Sequence, residues 1–161
     1  MPKNKTTTKR AGTARKSTNV WTDEERAAMQ ESARERKASA GRTPDEARAE
    51  GERDLRECIA KLPNDDRAMA ERIDRVVTAA APSLWPKTYY GMPAYASEGK
   101  DGKVICFFQP KSKFKVRYST FGFQPDARLD DSEMWPIAFA VTALTPGVET
   151  RIAELVKKAA G

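Results

Sequence analysis

Hydrophobic and polar positions follow three regimes along the chain. Residues 1–19 have no apolar face at all, and up to residue 54 the large apolar residues are only Met1, Val20, Trp21 and Met29. From Leu55 onward striped helices and alternating segments take over. Ten of the thirteen aromatic residues lie between Trp85 and Phe123, which places the core there.

Residues 22–38 carry a capping box, Thr22 with Glu25, and acids in the first turn, so a helix is expected. Its apolar positions are Ala27, Ala28, Met29, Ala33 and Ala38, a stripe too thin for firm packing. This predicts a solvated arm that docks weakly, with Trp21 as its one sticky residue. Ala40-Gly41-Arg42 breaks the chain. Thr43-Pro44-Asp45-Glu46 then starts a second helix to about Lys61. Gly51 is expected to weaken or bend it, and Leu55, Cys58, Ile59 and Leu62 give its second half an apolar face. After Pro63-Asn64, residues 65–80 carry the stripe Met69, Ile73, Val76, Val77 and Ala80. Residues 147–159 repeat it with Val148, Ile152, Leu155, Val156 and Ala159.

Between these helices the period changes. Trp85 to Tyr90 reads as extended, with a turn or bulge at Gly91. Pro93 offers no N–H to a ladder, which predicts that its strand is an edge or is broken there. Val104–Phe108 reads as a strand. Phe114, Val116, Tyr118 and Thr120 alternate with Lys115, Arg117 and Ser119, predicting a further strand with one wet face. Residues 137–143 read as another. The expected fold is α+β: an antiparallel sheet with amphipathic helices on one face, preceded by a polar helix and a disordered basic tail. The expected division is 1–19 tail, 20–54 polar helical leader and 55–161 folded domain.

Charge sharpens this division. The net charge is +6, and residues 1–19 hold Lys3, Lys5, Lys9, Arg10, Arg15 and Lys16 with no acid. The remaining 23 basic residues balance 23 acidic ones, so the whole excess belongs to the tail. Such a segment can neutralise phosphates but has nothing with which to read bases. It is a candidate for weak non-specific nucleic-acid contact, or simply a solubilising tail. No apolar run approaches the eighteen or so residues of a membrane span, and no secretory signal core is present, so a cytoplasmic location is expected.

The chain has no histidine, which removes the commonest general base and most zinc sites. No phosphate-binding glycine motif and no nucleophile elbow occurs. Cys58 and Cys106 lack metal-ligand spacing and are expected as small buried hydrophobes. A non-enzymatic protein is therefore expected. Asp126, Asp130, Asp131 and Glu133 form the better candidate for oxygen ligation of a cation, the alternative being an acidic loop facing the basic Lys111–Arg117 segment. Asp65, Asp66, Glu71 and Asp74 alternate with Arg67, Arg72 and Arg75, which predicts a solvated salt-bridge face. Tyr89, Tyr90, Met92, Pro93 and Tyr95 are candidates for a small-ligand pocket. With Trp85 and Phe108, and beside Lys115 and Arg117, the tyrosines could instead be a stacking surface for single strands.

The segments WPKTYYGMPAY, KVICFFQPKSKFKVRYSTFGF and LDDSEMWPIAFAVTAL resemble the YdhG-like family, over roughly residues 55–158. The leader TDEERAAM at 22–29 is similar to that of some members. The resemblance implies a compact α+β fold and no catalytic activity. One branch of the family is described as frataxin-like iron chaperones, so it also implies iron(II) as a ligand, bound weakly through surface carboxylates. Three arginines dilute the acids of the helix that would carry them.

Overall fold

The computed structural model describes residues 20–161, so the six basic residues of the tail lie outside the described part. Three helices come first: α1 (Asp23–Ser39), α2 (Pro44–Ala60) and α3 (Asn64–Ala80). Five strands follow: β1 (Trp85–Tyr89), β2 (Met92–Ala96), β3 (Val104–Gln109), β4 (Ser119–Phe123) and β5 (Ala138–Val141). Helix α4 (Pro146–Ala160) closes the chain. The strands form one antiparallel meander in the order β1-β2-β3-β4-β5, giving the α+β class. No helix among the described residues is long and apolar enough to cross a membrane.

Both expected capping boxes form. Thr22 and Thr43 accept from the amides of Glu25 and Glu46, whose carboxylates return to the threonine amides. The strand register sorts side chains onto two faces. Tyr95, Cys106, Phe108, Phe121 and Phe123 share the face where Tyr95 pairs with Cys106, Cys106 with Phe123 and Phe108 with Phe121. They form one core with Leu55 and Ile59 of α2, Ile73 and Val77 of α3, and Ile152 and Val156 of α4. The helices thus cover one sheet face, and α2 joins the two striped helices there. The opposite face carries Trp85, Lys87, Tyr89, Ala94, Ala96 and Phe107, by alternation and by the pairs Trp85–Ala96, Lys87–Ala94 and Ala94–Phe107. Gly122 is paired with Phe107, whose ring occupies the space a Cβ at Gly122 would need.

Four local expectations are corrected. The first concerns residues 114–118, which are not strand: a loop spans 110–118 and β4 starts at Ser119. Val116 is exposed, and Lys115 sits at φ 53, which breaks any ladder. The loop is held instead by polar contacts, Ser119 Oγ accepting from the Lys111 amide and Asp66 from the Ser112 amide. The second concerns β2, which is interior to the sheet rather than an edge. Pairing with β3 begins at Ala94, so Pro93 stands just beyond the ladder that needs an N–H.

Gly51 supplies the third correction. It does not interrupt α2 but is buried, and a Cβ there would strike the Pro86 carbonyl. The glycine lets the helix lie against β1. Fourth, the α3 acids are not a simple solvated face. Asp66 is buried on the Ser112 amide, and Asp74 accepts the Tyr95 hydroxyl at 2.9 Å. Arg72 pairs with Glu149 of α4 at 2.6 Å.

Candidate functional site: a cleft between the helical hairpin and the sheet

A cleft of about 320 Å³ opens between α1, α2, β1 and the 97–103 loop. Its walls include Trp85, Tyr89 and Tyr90, half-buried rings from β1 and the turn after it. Its floor includes Ala96 and Val104, where short side chains leave room above the sheet. Alternation puts Trp85, Lys87 and Tyr89 on one strand face, and α2 reaches the same cleft with Ala47, Gly51 and Asp54. The volume lies at the lower end of the range for small-molecule sites.

The charged groups around the cleft are unequal. Arg36, Arg42, Lys87 and Lys100 line it against Glu35 and Asp54. Arg42 is paired with Glu50 at 2.5 Å, and Glu35 is held by backbone amides. Lys87 is half-buried and makes no ion pair or hydrogen bond among the described residues. Asp54 is likewise half-buried, and its carboxyl is raised by burial first and then by Glu50 and Glu57. Four cations against two carboxylates leave the lining of the cleft net positive. The Tyr89 hydroxyl is also raised, by burial and by its neighbour Tyr90, so it remains a proton donor.

One end of the cleft is defined by the β1–β2 turn. Tyr90 (φ 49) and Gly91 (φ 71) are both in the left-handed region, the two-residue turn whose twist suits a hairpin. Tyr90 carries the strain of this conformation, which a non-glycine residue rarely adopts. Glu35 of α1 offsets it by accepting the Tyr90 amide at 3.1 Å and the Gly91 amide at 2.9 Å. The Tyr90 ring meets Tyr89 edge-on at 4.6 Å, and Tyr89 packs near Phe107 at 5.8 Å. From α2, the Cys58 thiol donates to the Gly91 carbonyl at 3.1 Å, and burial pushes that thiol up to about 11.

The turn and the 110–118 loop together dock α1. Lys113 reaches Glu31 at 2.8 Å and Lys115 reaches Glu24 at 2.5 Å. Glu24, Ala28, Glu31, Ser32 and Glu35 share one helical face, of which Ala28 and Ser32 are buried. The polar, solvated arm expected from the sequence is attached through its carboxylates rather than through Trp21. Its apolar stripe contributes little beyond Ala28, and Trp21 is 54% exposed. The signal was present as acids at 24, 31 and 35 on a single face.

Of the candidate pocket residues, Tyr89 and Tyr90 line the cleft. Met92, Pro93 and Tyr95 do not: all three are buried within the fold. Tyr95 and Phe108 are therefore withdrawn from any stacking surface, Lys115 is committed to Glu24, and Arg117 lies over Tyr118 at 5.1 Å. Asp126, Asp130, Asp131 and Glu133 are all exposed. Among the described residues no three His, Cys, Asp or Glu side chains are grouped so as to hold a metal ion. Nor does that loop pair with the basic segment; its Arg128 amide is tied to the Ala159 carbonyl of α4 at 3.0 Å.

No family model matches the chain, and no curated protein or solved structure is significantly similar to it.

Proposed function

We propose that the chain is a non-enzymatic, YdhG-like binding module that takes a small ligand in the cleft between α1, α2 and β1. The observation that carries this is Lys87, a half-buried residue whose ammonium has no partner among the described residues, set between Trp85 and Tyr89 on one face of β1 above a floor that includes Ala96 and Val104. An ammonium that makes no ion pair among the described residues is open to a charge-assisted contact with an anionic group. The iron(II) reading has less support, because no three ligating side chains gather among the described residues. A thermal-shift screen of small molecules against the full chain tests the proposal. Ligands that stabilise it should lose that effect in Ala47→Trp, which fills the cleft from α2. Stabilisation that persists in this variant, with its fold intact, would refute it.

A second reading rests on the tail alone, six cations without an acid. It assigns weak, sequence-independent binding of nucleic acid. Six charges give a log K against log salt slope of at most about −5 on duplex DNA, or about a thousandfold loss from 50 to 200 mM salt. Deleting residues 1–19 should abolish both binding and slope; retention of either rejects this reading.

A further inference from the structure

We infer that the ligand class suited to the cleft is a planar aromatic anion, an aromatic ring system carrying a carboxylate or phosphate. This deepens the proposed function and rests on it.

The rings supply the first half of the inference. Trp85, Tyr89 and Tyr90 bring three π surfaces to one concavity, the first two of them four residues apart on one face of β1. Ring–ring contact favours a flat, polarisable partner over an aliphatic one of equal area. The Arg48 guanidinium already lies over Trp85 at 5.5 Å, so part of that ring is engaged from the α2 side. The other β1 ring lining the cleft, Tyr89, is braced by Tyr90 at 4.6 Å and by Phe107 at 5.8 Å.

The charges supply the second half. Lys87 lies between Trp85 and Tyr89 on the same strand face, and Lys100 stands on the loop at the cleft's other wall. Neither has an ion pair among the described residues, whereas Lys113 and Lys115 are both used to dock α1. An anionic group at Lys87 would give this ammonium a charge-assisted partner, and its attached ring would fall onto Tyr89. Among the described residues Asp54 is the carboxyl lining the cleft that has no ion pair or hydrogen bond, since Glu35 is committed to the turn amides. Asp54 opposes an anion when ionised and can donate a hydrogen bond to it when protonated.

Calorimetric titration of the full chain tests this with three probes: 1-naphthoate, 1-naphthol and inorganic phosphate. The expected result is that 1-naphthoate binds about tenfold or more tighter than either other probe, the worth of one charge-assisted contact. Lys87→Met should remove about that factor for naphthoate and leave naphthol unchanged, and Asp54→Asn should tighten naphthoate. Ala47→Trp, or Ala38→Trp if the former fails to fold, should block both aromatic probes. If naphthol binds as tightly as naphthoate, or Lys87→Met changes nothing while the tryptophan variants still block binding, the ligand class is wrong and the cleft stands. Naphthoate binding that ignores the tryptophan variants, or no aromatic probe bound at millimolar concentration, overturns the cleft itself and this inference with it.

Discussion

Glu35 and Gly91 lie 56 residues apart in sequence, yet a carboxylate oxygen of Glu35 accepts the Gly91 amide at 2.9 Å, while the other oxygen takes the Tyr90 amide. One side chain of a polar helix thereby holds the turn between the first two strands, at the end of the cleft. Removing it should free α1. Glu35→Ala is expected to cost about 1–3 kcal/mol of local stability, because two amides lose a charged acceptor. Hydrogen exchange should rise across residues 23–39 while α3 stays protected. Unchanged exchange in α1 would contradict the assignment.

Salt should act on the same helix. The Glu24–Lys115 and Glu31–Lys113 pairs add to its attachment, and the first is the more exposed. Raising ionic strength to 1 M shortens the screening length to about 3 Å. Exchange in α1 should increase with salt well before exchange in β3 or α4 does. A helix held by apolar contact would respond in the opposite sense.

Gly51→Ala tests two opposed effects. In an exposed helix this change stabilises by up to about 1 kcal/mol. Here the new methyl meets the backbone carbonyl of Pro86, which cannot rotate away. A net loss of about 1–3 kcal/mol is expected from chemical denaturation. A more stable variant would show that α2 and β1 are not as close as described.

The Tyr95 hydroxyl donates to Asp74 from within the core, where burial and that carboxylate raise its pKa well above the ordinary tyrosine value. Tyr95→Phe keeps the ring and deletes the donor. A loss of about 1–2 kcal/mol is expected in urea unfolding, since Asp74 loses a partner without gaining water freely.

Cys58 gives a pH dependence of definite sign. Its thiol ionises at about 11 in the folded chain against 9.0 ordinarily, because burial disfavours the thiolate. Below pH 9 the thiol is protonated in both states and nothing is lost. As pH rises from 9 to 11 the unfolded chain releases the proton first, so stability falls by about 2–3 kcal/mol from this group. Cys58→Ala should therefore flatten the alkaline fall, measured as the difference in unfolding free energy between pH 8.5 and 11. An equal fall in both proteins would remove Cys58 as the cause.

Much of the framework was legible because it depends on local chemistry. The threonine capping boxes fixed two helix starts, the stripes of α3 and α4 their buried sides, and Val104–Phe108 a central strand. The failures share a cause. Residues 114–118 alternate like a strand, but Lys113 and Lys115 are drawn to Glu31 and Glu24 on a helix some eighty to ninety residues earlier, and the loop follows them. Pro93 and Gly51 look like local defects in sequence, while their meaning lies in which neighbour stands beside them.

The order of residues by itself determined an α+β composition, the helix limits and the concentration of positive charge in the first nineteen positions, since propensity, periodicity and charge are properties of short segments. Only the tertiary structure decided that α1 docks by its acids, that Tyr95 is core while Tyr89 lines a cleft, and that Lys87 is left without a partner among the described residues. Each of those depends on which distant groups meet, and folding sets that through packing geometry no local pattern encodes.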